Sequence, residues 1–234
     1  MSLSNLKPIR VYGKGGANPP KVLMILEELG VPYEVEDVPI SDAKTPAYLA
    51  VNPNGRLPAI IDPNHHEQGR DLVLWESGAI IEYLVERYDA EHHKISFAPG
   101  SAEAQHARQW LFFQATGQGP YYGQAYWFKL LHAERVPSAV KRYTDEAKRV
   151  TGVVEGWLRK QIDEGTGGAD GPWLVGGRIS YADIAWFMWQ KTLAVKLSED
   201  FDEDEFPLVK DWLERLLKRP AVSKAAAWLL APAQ

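Results

Sequence analysis

The chain is 234 residues long, 45% hydrophobic and 24% charged, with a formal net charge of −5 at pH 7. That length supplies one large core or two modest ones, and the acidic balance excludes a general nucleic-acid binder, which carries a basic face. There are no cysteines, which excludes disulfides, thiolate metal sites and C-x-x-C redox pairs, so sulfur chemistry here requires a sulfur brought by a ligand.

Residues 7–12 alternate as a strand, with Ile9 and Val11 on one face. A glycine-rich loop follows, and Asn18-Pro19-Pro20 opens a helix, asparagine at the cap and proline in the first turn. Val22, Leu23, Ile25, Leu26 and Leu29 form its apolar face and Gly30 ends it. Residues 32–38 alternate as a second strand, and residues 46–51 suit a short helix. Asn54-Gly55 marks a tight turn. Next come a short apolar strand from Ala59, a polar loop with the pair His65-His66, a strand at 72–75 and a helix over 78–88. The order up to Tyr88 is βαβαββα.

A polar segment, 89–101, precedes a helix-rich remainder. Helices are expected over 102–115 and 121–131, with Gly117-Gln118-Gly119-Pro120 bending or breaking the chain between them. Residues 137–162 read as a long amphipathic helix with Lys141/Asp145 and Asp145/Arg149 pairs at i,i+4. Ser180-Tyr181-Ala182-Asp183 resembles a capping box and opens a helix apolar nearly all round, which belongs at a domain centre. The acidic run 199–205 reads as a solvated loop, and two proline-led helices, 207–218 and 220–230, close the chain. The expected domains are 1–90, a linker 91–101 and 102–234. No apolar run reaches membrane-spanning length, and the first residues lack a signal-peptide core, so the default expectation is a cytoplasmic protein without membrane contact. The adjacent histidine pairs 65/66 and 92/93 lack ligand spacing, and no metal is expected.

The stretch 52–83 carries the chemistry. Leu57 precedes Pro58, which pushes it toward extended backbone and makes the bond a candidate cis peptide. An extended residue at a strand start can offer its N–H and C=O to a peptide-like ligand. Glu76 and Ser77 stand where a strand gives way to a helix. A helix N-terminus suits a carboxylate and a neighbouring carboxylate side chain suits an ammonium, which together describe a socket for a free amino-acid head. Ser77 as a plain N-cap and Glu76 as a plain first-turn acid account for the same residues.

The βαβαββα unit with Leu57-Pro58 before its third strand and Glu76-Ser77 before its third helix, joined to helices, resembles the soluble glutathione transferases over almost the whole chain. The marks are V-N-P-N-G-R-L-P-A-I at 51–60, W-E-S-G-A-I-I-E-Y-L at 75–84, W-L-V-G-G-R-I-S-Y-A-D-I-A at 173–185 and R-P-A-V at 219–222. The segments 108–124 and 141–149 look more narrowly like the nu-type branch, which includes glutathione-dependent disulfide reductases and the fold of a fungal nitrogen regulator. The resemblance implies a thioredoxin-like first domain and an all-α second domain. It also implies a homodimer that uses glutathione as substrate and needs no metal. It places Leu57 on the cysteinyl backbone, Pro58 in cis, and Glu76 and Ser77 at the γ-glutamyl end. Lys44 falls near the glycyl carboxylate and Arg142 near bound glutathione.

Asn18 occupies the catalytic position of that branch. A free thiol has a pKa of about 8.5, which helix N-termini and hydrogen-bond donors lower. Lowering it by two units requires about 2.7 kcal/mol. A hydrogen bond from Asn18 contributes part of that and the helix dipole a smaller share. The asparagine oxygen can cap the helix while its NH₂ faces the sulfur, so cap and catalytic role are compatible. Two departures stand out: Gly16 replaces a hydroxyl residue, and Ala125 replaces an asparagine. Tyr122, Tyr126 and Trp127 are candidates for an acceptor groove, although aromatic residues at helical spacing also serve as core. The implied function is a transferase joining glutathione to small electrophiles in detoxification, or reducing disulfides. The alternative is a non-catalytic glutathione-binding regulator.

Overall fold

The structure, a computed structural model, describes residues 5–230. It divides into two compact units: the chain up to Ser96 with the segment from Ala221 onward, and Phe97–Pro220.

The first unit contains β1 (Ile9–Tyr12), α1 (Pro19–Leu29), β2 (Tyr33–Glu36), a 3₁₀ turn (Ile40–Lys44), α2 (Pro46–Leu49), β3 (Ala59–Glu67), β4 (Arg70–Trp75) and α3 (Ser77–Tyr88). The sheet order is β2-β1-β3-β4, with β1 parallel to β2 and antiparallel to β3, and β3 antiparallel to β4. This is the thioredoxin-like arrangement. Ile9 and Val11 are fully buried beneath α1, whose Val22, Met24, Ile25 and Leu26 are equally inaccessible. Each such side chain contributes about 1.5–3 kcal/mol on burial. Gly30 ends α1 in the left-handed region at φ 69°, its N–H donating to Leu26 and Glu27 carbonyls.

The polar stretch after Ile61 is strand rather than the expected loop. Pairing passes from Asp62↔Leu72 directly to His66↔Asp71, so Pro63, Asn64 and His65 form a bulge. Gln68 (φ 52°) and Gly69 (φ 79°) then close a two-residue hairpin turn. Polar contacts replace apolar alternation here, which is why periodicity missed it. Fully buried Asp62 accepts from Tyr83 Oη at 2.6 Å, Tyr88 Oη at 2.5 Å and Asn64 N at 2.8 Å. Both histidines lie in strand and not in a loop: the His65 ring stacks on Tyr83, while His66, 3.1 Å from Asp71, keeps its side chain exposed to solvent as expected.

The second unit contains α4 (Ala102–Phe113), a π turn (Gln114–Gln118), α5 (Gly119–Tyr126), a second π turn (Trp127–Leu131), α6 (Pro137–Asp163), α7 (Tyr181–Lys196), a 3₁₀ turn (Glu203–Glu205) and α8 (Pro207–Leu217). The final helix, α9 (Pro220–Leu230), belongs from Ala221 onward to the first unit. There, Lys224 pairs with Glu27 of α1.

The Gly117–Pro120 segment does not break the helix. A π turn absorbs it, with Pro120 in the first turn of α5, where a missing N–H costs nothing. Buried glutamines line that turn: Gln114 Nε2 donates to Gln118 Oε1 at 2.9 Å, and Gln118 Nε2 to Trp186 O at 3.1 Å. On α6, Lys141 pairs with Asp145 at 2.6 Å as expected, whereas Arg149 turns back to Glu146 at 2.7 Å instead of meeting Asp145.

Helix α7 is central to its unit, with Ile184, Ala185, Trp186, Phe187 and Met188 fully buried. Its capping residue Asp183 accepts from Ser180 N and Oγ (both 2.8 Å), Leu174 N (2.9 Å) and Trp212 Nε1 (3.1 Å). Burial raises the Asp183 pKa despite these bonds. The acidic run is largely exposed, as expected, and lysines pair with its members at the surface: Lys129 with Glu199 and Asp200, Lys191 with Glu203, Lys148 with Glu205.

Candidate functional site

The first unit gathers Asn18, Lys44, Leu57, Pro58, Glu76 and Ser77. Arg142, Tyr122, Tyr126 and Trp127 belong to the second.

Asn18 precedes α1 with φ −96° and ψ −44°, a helical rather than extended backbone, and its side chain makes no capping bond. The dual role expected for this amide is corrected accordingly: Pro19 and Pro20 start the helix, and only the Asn18 carbonyl takes part, accepting from Lys21 N at 3.2 Å. Two residues earlier, Gly16 has φ 80° and open space where a Cβ would stand. A hydroxyl side chain is therefore opposed there by backbone conformation and not by crowding.

The turn before β3 is held from inside. Gly55 N donates to Asn52 O at 2.8 Å. At φ 58°, a Cβ on Gly55 would lie 2.6 Å from Ala43 O, so this turn requires glycine twice over. Asn52, 1% exposed, accepts from Asn54 N at 2.9 Å and donates through Nδ2 to Arg56 O at 2.7 Å. Tyr48 Oη donates to the same Arg56 carbonyl at 2.8 Å. Leu57 follows that anchored carbonyl, the Leu57–Pro58 bond is cis, and sheet pairing begins only at Ala59. Lys44 donates to Asn54 O at 2.8 Å, so its ammonium buttresses the turn. Asn52 and Tyr48 escaped the sequence reading. The N-P-N-G pattern signals an Asx turn, but nothing in it shows which carbonyl the buried amide seeks.

Glu76 is the N-cap residue of α3, and Ser77 is its first helical residue rather than the cap. Ile80 N is bonded to Glu76 O at 2.9 Å, leaving the amides of Ser77, Gly78 and Ala79 without intrahelical acceptors. Glu76 has φ 71° and ψ 112°, a conformation that L-residues avoid, and its Oε1 accepts from Asn54 Nδ2 at 3.3 Å. A carboxylate carried on a strained backbone, beside three amides without intrahelical acceptors, is a feature that a structural cap does not require.

Lys21 is a further charged residue of this region that sequence patterning passed over. It lies in the first turn of α1, 2% exposed, and burial pushes its ammonium down to about 7 while the Glu76 charge opposes the shift. Its apolar neighbours Val22 and Leu23 gave no hint that this lysine points inward.

In the second unit, Tyr122 is fully buried, its hydroxyl 2.6 Å from Thr151 Oγ1 and donating to Gln190 Oε1 at 3.1 Å. It is core and does not line a groove. Tyr126 is half-buried and Trp127 is 46% exposed. Arg142 is exposed, 3.3 Å from Glu146 and over the Tyr121 ring. Among the described residues, no cluster of histidines and acids could hold a metal ion.

The first unit thus offers an amide at a helix start, a strand-edge backbone, and a carboxylate beside a helix N-terminus. These suit a zwitterionic, peptide-like ligand. Residues 18–87 match a family model described as glutathione S-transferase, N-terminal domain, and residues 120–220 one described as glutathione S-transferase, C-terminal domain. The glutathione S-transferase-like protein gedE of Aspergillus terreus is 56% identical, over 98% of this chain and 99% of its own length. The glutathione transferase URE2P6 of Phanerochaete chrysosporium, solved with oxidized glutathione, superposes with a TM-score of 0.83 at 44% identity, covering 96% of this chain and 97% of that one. The transcriptional regulator URE2 of Saccharomyces cerevisiae is 35% identical over 88% of this chain and 63% of its own.

Proposed function

Because the chain belongs to the glutathione S-transferase family, we propose that its first unit binds glutathione and promotes ionisation of the tripeptide's thiol. The Glu76 carboxylate takes the γ-glutamyl ammonium. The amides at the start of α3, with the Ser77 hydroxyl, take the γ-glutamyl carboxylate. The Leu57 backbone pairs with the cysteinyl unit ahead of Pro58. Lys44 serves the glycyl end once it leaves Asn54 O. Asn18 donates to the sulfur, and the α1 dipole adds to its effect. The observation that carries this reading is Glu76 at φ 71°, a strained carboxylate held beside open amides.

The thiolate then forms a carbon–sulfur bond to an electrophile as the leaving group departs. Alternatively it attacks one sulfur of a disulfide and the other leaves as thiolate, after which a second glutathione thiolate resolves the mixed disulfide to glutathione disulfide. The complex of URE2P6 with oxidized glutathione supports considering the second route. A homodimer in the cytoplasm is the setting this reading expects.

The test is activity toward a chlorodinitrobenzene-type electrophile and toward hydroxyethyl disulfide, in wild-type and Asn18→Ala proteins. Loss of either activity in Asn18→Ala, with unchanged affinity for S-methylglutathione, supports the assignment. A second reading, a glutathione-binding regulator without catalysis, is favoured by Gly16, whose φ of 80° opposes the hydroxyl residue of the branch, and by the regulator relative. Binding without turnover in both assays selects it.

A further inference from the structure

The peptide group between Arg56 and Leu57 is gripped by its carbonyl, which accepts from Tyr48 Oη at 2.8 Å and from Asn52 Nδ2 at 2.7 Å. Both donors are buried. They belong to one short stretch at the end of α2, where Asn52 N donates to Tyr48 O at 2.9 Å. The Tyr48 ring is braced in turn by a buried cluster with Tyr12 of β1, Ala43 and Ala59 of β3, its centroid 5.8 Å from that of Tyr12. Pairing of β3 with β1 starts only at Ala59, so side chains and not the sheet ladder orient this peptide group.

A peptide group is planar, and in the trans bond between Arg56 and Leu57 the C=O and N–H point to opposite sides. Donors that hold the carbonyl toward α2 therefore hold the Leu57 N–H in the opposite direction, away from the buried cluster. We propose that Tyr48 and Asn52 are positioning residues for glutathione: by clamping the Arg56 carbonyl, they aim the Leu57 N–H at the cysteinyl carbonyl of the tripeptide. The inference rests on the glutathione reading above. One donor would leave the peptide plane free to swing; two converging on one oxygen restrict it. A pre-set N–H spares the complex the ordering of a mobile group, a cost that otherwise subtracts from affinity. In this scheme neither side chain touches the ligand. A clamp that served packing alone would be indifferent to whether the ligand carries an acceptor for that N–H.

The test is calorimetric titration of wild-type, Tyr48→Phe, Asn52→Asp and doubly substituted proteins with two ligands. One is S-methylglutathione; the other is its analogue with an E-alkene in place of the cysteinyl–glycyl amide, which has no carbonyl for the Leu57 N–H. Tyr48→Phe removes one donor and keeps the packed ring. Asn52→Asp removes the other donor and keeps the oxygen that accepts from Asn54 N. Each substitution is expected to weaken S-methylglutathione by about three- to tenfold, and the pair by about tenfold or more, while the alkene analogue binds as it does to wild type. Equal weakening of both ligands assigns the clamp a purely structural role and overturns the proposal, as does unchanged S-methylglutathione affinity in the double variant. Tyr48→Phe alone decides the matter should the aspartate variants fail to fold. Wild type that binds S-methylglutathione no more tightly than the alkene analogue would also overturn it, because the Leu57 N–H would then have no acceptor in the ligand. Absence of S-methylglutathione binding by wild type would instead refute the glutathione reading itself.

Discussion

Replacing Glu76 by glycine separates two properties that this residue combines. A side chain at φ 71°, ψ 112° costs about 1–3 kcal/mol relative to an unstrained backbone, and glycine adopts the same angles freely. Against this stands the extra freedom of glycine in the unfolded chain, about 0.4–1 kcal/mol, and the long bond from Asn54 Nδ2, worth about 0.5 kcal/mol. The balance is a gain of about 1 kcal/mol, or roughly 2–4 °C in melting temperature for a chain of this size. Glu76→Ala loses the same carboxylate but keeps the strained angles, so it shows no such gain. Both variants lose the proposed partner of the ligand ammonium, about 1.5–3 kcal/mol, which is roughly a 10- to 150-fold rise in Kd. Thermal denaturation of the three ligand-free proteins, followed by titration with S-methylglutathione, measures both quantities. A glycine variant no more stable than the alanine variant would show that no strain resides at this position. Wild-type affinity in either would remove Glu76 from the site.

Lys21 makes stability depend on pH with a definite sign. Its folded-state value of about 7 lies below the ordinary 10.5, so between those values the unfolded chain holds a proton that the folded chain has released, and stability rises with pH. From pH 7 to 9, denaturant unfolding should show wild type gaining roughly 1–3 kcal/mol relative to Lys21→Met; a constant difference would contradict the burial argument. Gly55→Ala should lower stability by about 2 kcal/mol or more, because its Cβ meets Ala43 O at 2.6 Å in a positive-φ turn. A near-neutral melting shift would mean that the turn relaxes freely. Asp183→Ala should cost about 3–5 kcal/mol, since donors from Leu174, Ser180 and Trp212 lose a buried acceptor. Chemical denaturation would sink that reading by showing a change below about 1 kcal/mol.

Local rules carried the sequence reading where one element settles the matter. Asn18-Pro19-Pro20 begins α1 and Gly30 ends it, Ser180 and Asp183 cap α7, and Asn54-Gly55 turns the chain before β3. Elsewhere distant partners decide. The bulged half of β3 owes its place to Asp62 meeting tyrosines from α3, and no pattern within residues 62–67 encodes that. The pairing of Arg149 with Glu146 instead of Asp145 is a local ambiguity, since i,i+3 and i,i+4 acids both lie within reach of one side chain on α6.

The order of elements, the absence of cysteine and the residues of the proposed amino-acid socket are all legible in the chain, because turn residues, caps and periodicity act over a few neighbours. Tertiary structure decided that Lys21 faces inward, that Asn52 and Tyr48 converge on one carbonyl, that Tyr122 is core and that Glu76 is held at a positive φ. Burial, convergence and strain arise only when segments far apart in sequence pack together, so they are properties of the folded protein that no single stretch contains.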